Sequence, residues 1–118
     1  MPLNPLITVT ETGTASAKTI QINVSPDPIN LKGHGHGAVP IQWDIDPQSS
    51  PGWSFATNGI AISKPSNHFG HGGPSDGNKH YTWTRNPNQA NGQHYKYSIS
   101  VTNGTTTVIV DPGIINEA

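Results

Sequence analysis

Cysteine is absent from the 118-residue chain, and this absence excludes several kinds of site at once. Disulfides, thiolate metal centres and cysteine nucleophiles all require Cys, so any metal would have to be held by His, Asp, Glu or backbone oxygen. A domain of this length buries roughly two thirds of its unfolded surface and can fold without covalent cross-links. We therefore expect a single domain over residues 1–118.

Charge is also scarce, because only 11% of the residues are Asp, Glu, Lys or Arg and the formal net charge is -1. The few basic residues are scattered along the chain and form no cluster. Nucleic-acid-binding and membrane-surface proteins carry concentrated basic patches. We expect neither nucleic acid nor a membrane among the partners.

Long apolar runs are missing as well. No segment approaches the ~20 consecutive apolar residues that a membrane-spanning helix requires. The first residues, Met-Pro-Leu-Asn-Pro-Leu-Ile-Thr, lack the basic start and continuous apolar stretch of a signal peptide. The sequence predicts a cytoplasmic location.

Helical periodicity is not found, whereas alternation with a period of two recurs along the chain. In residues 39–45, Val39, Ile41, Trp43 and Ile45 share one phase, and the residues between them are mostly polar. Residues 18–24, 80–85 and 93–102 alternate in the same way. Such alternation is typical of strands with one buried face.

Seven or eight such strands, separated by turns rich in the 13 Gly and 11 Pro, predict an antiparallel β-sandwich. Residues 11–17 are expected to form a loop, and residues 64–79 a long loop. Asn58-Gly59 allows two interpretations, a tight hairpin or a continuous strand with a bulge at Gly59. Asn103-Gly104 predicts the best hairpin in the chain.

Four stretches carry a resemblance to a known class of protein: Ser-Pro-Asp-Pro-Ile-Asn-Leu, Val-Pro-Ile-Gln-Trp-Asp-Ile, and the final pair Tyr-Lys-Tyr-Ser-Ile-Ser-Val and Val-Ile-Val-Asp-Pro-Gly-Ile-Ile. Together they resemble small bacterial immunoglobulin-like or cupredoxin-like sandwich proteins, and more loosely the uncharacterised DP-EP family. The resemblance implies a Trp on a central strand, matched by Trp43, and a Tyr on the penultimate strand, matched by Tyr95 or Tyr97. It implies no blue-copper site, because Cys is absent and only Asn103-Gly104 joins the last two strands.

Two histidine pairs, His34 with His36 and His68 with His71, are the most distinctive feature of the sequence. Imidazole suits Zn, Cu and Ni, and the flanking Gly residues allow the backbone to bend so that two rings meet one ion. If both pairs lie at one end of the sandwich, they could form a tetrahedral site, with Asp76 or His80 as substitutes. The alternative is that both pairs are polar tips of solvated loops.

Other candidate sites are weaker. Trp43, Trp53 and Trp83 could form a sugar-stacking platform, but their phase in the strands favours core packing, and Trp53 is the expected exception. Asp44 and Asp46 share a strand face and could pair as carboxylates, although a solvated face with a turn at Asp46 explains them better. No nucleophile or nucleotide motif is present, so we do not expect an enzyme.

Polar faces rich in Thr, Ser and Asn could meet another subunit, because such surfaces pair readily in sheets. The sequence therefore predicts a non-enzymatic binding or interaction module that self-associates through a strand edge or a polar sheet face. Two alternatives remain open. One is a protein that binds Zn, Cu or Ni through its histidine loops, and the other is a carbohydrate-binding module.

Overall fold

The computed structural model describes residues 3–14, 17–48 and 52–118. The described residues form ten strands and no helix, which confirms the all-β prediction. The strands are β1 Leu6–Thr14, β2 Ala17–Ser25, β3 Ile29–Asn30, β4 Val39–Ile45, β5 Ser54–Ile62, β6 Phe69–Ser75, β7 His80–Arg85, β8 Gln93–Thr102, β9 Thr107–Val110 and β10 Gly113–Asn116.

The strands form two sheets. The first has the order β2-β1-β4-β7-β6, and the second has the order β3-β10-β8-β5, with β9 also paired to β8. Most pairs are antiparallel, as predicted, but β1 runs parallel to β4, and β10 runs parallel to β3. The sheets are therefore mixed. The predicted number of strands was too low, and one reason is that the strand β6 lies within residues 64–79, where a long loop was expected.

The predicted long loop of residues 64–79 contains a strand, β6, which pairs antiparallel with β7. Its sequence, FGHGGPS, shows no alternation because Gly and Pro occupy most positions. A bulge lies between His71 and Gly73. A Cβ atom added to Gly72 would lie 2.8 Å from the carbonyl oxygen of Thr82, so this close pairing requires glycine. The loop prediction was wrong because backbone pairing, rather than side-chain pattern, forms this strand.

Residues 54–62 form one continuous strand, β5, with a register shift between Phe55 and Ile60 in its pairing with β8. Asn58 has a φ of 54°, and a Cβ added to Gly59 would lie only 2.8 Å from Cβ of Phe55. Of the two interpretations of Asn58-Gly59, the bulged strand is confirmed.

The core lies between the two sheets and follows the predicted alternation. Val39, Ile41, Trp43 and Ile45 of β4 are all buried, whereas the polar residues between them are not. Tyr97, Ile99 and Val101 of the second sheet are buried opposite them. Trp43 and Tyr97 connect the sheets directly, because Nε1 of Trp43 donates a hydrogen bond to the Tyr97 hydroxyl at 3.1 Å.

The pairing of β1 with β2 continues beyond the part of β1 that pairs with β4. β1 pairs with β2 from Leu6 to Thr14, but it pairs with β4 only at Leu6 and Ile7. The predicted loop of residues 11–17 is therefore mostly strand, and residues 15 and 16 lie outside the described part of the chain. This projecting hairpin agrees with the elongated shape, whose principal extents are 49 × 24 × 23 Å.

Candidate functional site

Arg85, the last residue of β7, lies at one end of the first sheet, between the first residues of β4 and β6. Val39 at the start of β4 and Phe69 at the start of β6 are both register partners of Arg85. The Gly-His loop before β4 and His68 before β6 are therefore at the same end of the sheet, because both strands run antiparallel to β7.

Arg85 is fully buried, although arginine is rarely buried without a carboxylate partner. Its guanidinium donates to the carbonyls of Gly35 at 2.6 Å, Gly37 at 3.2 Å and Glu117 at 3.1 Å, and to Oδ1 of Asn116 at 3.2 Å. Burial lowers the pKa of Arg85 below its ordinary value. Arg85 thus fixes the Gly-His loop against the C-terminal strand.

The two histidine pairs have different surroundings. His34 and His36 are exposed on the loop that Arg85 holds. His68 lies 6.2 Å from Tyr95, measured between ring centroids. His71 is not in a loop but in β6, where Nε2 is hydrogen-bonded to the Tyr81 hydroxyl and the ring contacts Trp83 edge-on.

No group of three or more His, Asp or Glu side chains within residues 3–14, 17–48 and 52–118 is arranged to hold a metal ion. The proposed substitutes Asp76 and His80 are at the far end of β7 from Arg85, because the short connection between β6 and β7 is there. They are thus remote along the strand from the Gly-His loop. The metal site of His34, His36, His68 and His71 stays a prediction.

A hydrogen-bonded cluster of Asp44, His80 and Asp76 occupies this far end. His80 Nδ1 is paired with Oδ1 of Asp44, and His80 Nε2 lies 3.1 Å from Oδ2 of Asp76. Hydrogen bonding to Asp44 raises the pKa of His80, and this effect outweighs the opposing effect of burial. The sequence places Asp44 and His80 on the polar phase of their strands, but only the strand order shows that they are neighbours.

The Asp44 carboxylate also accepts hydrogen bonds from Asn4 Nδ2 at 2.8 Å and Gln42 Nε2 at 2.9 Å. Burial raises the pKa of Asp44, but the bonds from Asn4, Gln42 and His80 together hold it below its ordinary value. Asp46 accepts a bond from the backbone nitrogen of Gln48 at 3.0 Å, as the turn interpretation predicts. Asp44 thus belongs to a hydrogen-bonded cluster, and Asp46 begins a turn.

The three tryptophans are all buried, including Trp53, which is only 2% exposed. Trp53 was the expected exception to core packing, and the structure contradicts that expectation. A sugar-stacking platform needs exposed ring faces. None of the three Trp side chains offers one.

The outer edge of β2 differs from every other sheet edge in the described residues. β2 is a nine-residue strand in uninterrupted register with β1, and it contains neither Pro nor Gly. At the opposite edge of the same sheet, β6 contains Pro74 and a bulge. In the second sheet, β5 has a bulge, β3 has two residues and β9 has four. Proline, bulges, short length and charged side chains are devices that prevent edge-to-edge pairing, and of these β2 contains only one charged residue, Lys18, near its start.

Within the described residues, no helix has the length and apolar character needed to cross a bilayer. Comparison with family models gives no match to this chain, and comparison with curated proteins gives none either.

Proposed function

We propose that the protein is a non-enzymatic interaction module that self-associates by pairing the outer edge of β2 with β2 of a second copy. The observation that carries this proposal is the long and regular edge of β2, which contains no proline, glycine or bulge. A strand of nine residues presents backbone donors and acceptors over about 30 Å. An edge of this kind is a template for another strand.

The projecting part of the hairpin supports the same proposal. Residues 10–14 of β1 are all exposed, and β4 no longer pairs with β1 there. A two-stranded ribbon is marginally stable in water by itself. A second copy would convert two such ribbons into one four-stranded sheet and give each ribbon a further neighbour.

The side chains of β2 suit a symmetric pairing. Thr19, Gln21 and Asn23 are exposed and uncharged on one face, while Ile20, Ile22 and Val24 are partly buried against the core. Two-fold antiparallel pairing centred on Gln21 would place Gln21 opposite its copy, Ile20 opposite Ile22 and Thr19 opposite Asn23, so polar and apolar residues match across the middle of the strand. Closed two-fold symmetry is also the commonest arrangement of soluble homo-oligomers.

Sedimentation of the untagged protein at micromolar concentration tests the proposal. The expected result is a reversible dimer of the 12.5 kDa chain. Gln21→Lys places a charge on the β2 edge, where the two copies meet, and should shift the equilibrium towards monomer by about tenfold or more, because like charges opposite each other destabilise a sheet.

Thr10→Lys is the matched control. Thr10 is the cross-strand partner of Gln21 and is also exposed, but it belongs to β1 and therefore lies one strand away from the proposed contact between the two β2 strands. The control should dimerise like the wild type. A wild-type protein that sediments only as monomer at about 100 μM would overturn the proposal, as would equal dissociation by both substitutions.

A further inference from the structure

A cleft lies where residues 63–68, the connection between β5 and β6, face the beginning of β8. Its volume is about 420 Å³. Clefts that bind small molecules commonly range from about 300 to 1,000 Å³. The cleft is therefore large enough for a ligand about the size of a monosaccharide.

The lining of this cleft is basic. Lys64 and His68 contribute from one side, and His94 and Lys96 from the other. These are two of the chain's six Lys and Arg residues and two of its six His, in a protein whose formal net charge is -1. None of the lining residues is Asp or Glu. Asp111 lines the adjacent cleft together with Lys96, but it does not line this one.

The basic groups are not neutralised by neighbours. Among the described residues, the ion pairs involve His80 with Asp44 and Asp76, and neither lysine of the cleft takes part in one. Nδ1 of His68 is buried and has no hydrogen-bond partner. The His68 ring borders the cleft, with its centroid 6.2 Å from that of Tyr95.

The wall formed by residues 63–68 is held in a defined shape. The backbone nitrogen of Ser63 donates to the Lys96 carbonyl at 2.8 Å, and that of His68 donates to the Pro65 carbonyl at 2.9 Å. Lys64 and Ser66 have φ angles of 50° and 49°, in the left-handed region that residues other than glycine rarely adopt. Such strain is concentrated at ligand-binding segments.

Tyr95 supplies an aromatic surface beside the basic groups. Its ring packs edge-on against Phe69 at 5.1 Å between centroids, and its hydroxyl accepts a hydrogen bond from Nδ2 of Asn91 at 2.6 Å. The ring is thus fixed in orientation while remaining only partly buried. Alternation along β8 places this ring on the opposite face of the strand from the side chains of His94 and Lys96, so the ring and the ammonium groups border the cleft from different sides. Such a cleft suits a ligand with both an organic body and an anionic group.

We propose that this cleft binds a small organic oxyanion, a phosphate or sulfate monoester with a body of about monosaccharide size. The oxyanion would be placed between the ammonium groups of Lys64 and Lys96, which bind such oxygens as point charges. The rings of His68 and Tyr95 would border the organic body of the ligand. This inference does not depend on self-association, because β2 contributes nothing to the cleft.

Amide chemical shifts in a titration with four probes test this site: glucose 6-phosphate, glucose 6-sulfate, inorganic phosphate and glucose. The two esters should cause saturable shifts at residues 63–68 and 93–96, and glucose should cause none. The ester that binds more tightly identifies the preferred oxyanion, phosphate or sulfate. If inorganic phosphate binds as tightly as both esters, the proposed contact of the organic body with Tyr95 is contradicted.

The double variant Lys64→Gln with Lys96→Gln should weaken binding of the esters by about tenfold or more, since hydrogen bonds to charged groups are the strong ones. Lys32→Gln is the matched control, because Lys32 is exposed and lies outside the cleft. It should bind like the wild type. Absence of saturable shifts up to about 10 mM ester, or equal weakening by the control, would overturn the proposal.

Discussion

The indole of Trp43 and the phenol of Tyr97 join the two sheets of the protein at the centre of its core. Their rings are 5.3 Å apart between centroids, and the indole nitrogen donates to the hydroxyl oxygen at 3.1 Å. Both side chains are almost completely buried, and burial raises the pKa of Tyr97 well above its ordinary value. The hydroxyl is therefore neutral and available as an acceptor throughout the physiological range.

Tyr97→Phe should destabilise the protein by about 1–3 kcal/mol, because it leaves the buried indole N–H without an acceptor. Urea denaturation followed by Trp fluorescence measures the loss. Trp43→Phe alone and combined with Tyr97→Phe completes a double-mutant cycle. Additive losses in the cycle would contradict a direct interaction between the two side chains.

The alternating phase of the sequence predicted this part of the fold well. Trp43 was expected in the core from its phase in residues 39–45, and the alternation of residues 93–102 puts Tyr97 on the apolar face of its strand. Because successive side chains of a strand point to opposite faces of the sheet, the sequence of one strand shows which side chains share a face, even when the neighbouring strand is unknown. The partner of Trp43 could not be predicted in the same way, because the register between two sheets depends on the complete strand order.

Other features could not be predicted because the sequence pattern does not encode them. β6 is formed by backbone pairing across Gly70, Gly72 and Gly73, which provide no apolar phase. Arg85 occupies the same phase as Tyr81 and Trp83, so its burial follows from the pattern, but its four acceptors come from distant parts of the chain. The basic cleft likewise joins residues 63–68 to β8 across about thirty positions of sequence.

Arg85→Met should destabilise the protein by about 3 kcal/mol, because it leaves one buried and three partly buried acceptors without their donor. Hydrogen exchange should become faster at the Gly33 amide, which donates to the Ala118 carbonyl at 2.9 Å beside Arg85. Lys32→Met, at an exposed position, should change stability by no more than about 0.5 kcal/mol.

Arg85→Lys keeps the charge but loses the planar fork that reaches several carbonyls at once. The free energy of unfolding of this variant should lie between those of the wild type and the Met variant. If the Met variant does not fold, the Lys variant can still be measured. Unchanged stability and unchanged exchange at Gly33 in the Lys variant would show that the fork is not needed to hold the loop.

His80 should make stability depend on pH, because both of its ring nitrogens face carboxylate oxygens, which can only accept. The folded protein therefore favours the imidazolium, and the pKa of His80 lies above its ordinary value of 6.5. Its contribution is fully present below about pH 6.5 and is lost as the pH rises through the folded-state pKa. The stability gap between the wild type and His80→Gln should accordingly be larger near pH 5.5 than near pH 9.

Asp44→Asn separates the effects of the two carboxylates. Asp76 is 77% exposed in its side chain and contributes little, so removing the Asp44 charge should return the His80 pKa towards 6.5. NMR titration of the His80 ring measures this shift directly, and His94→Gln, an exposed substitution away from the cluster, should leave it unchanged. A wild-type His80 that titrates at or below 6.5 would contradict the imidazolium assignment, because the two carboxylates would then not be holding its second proton.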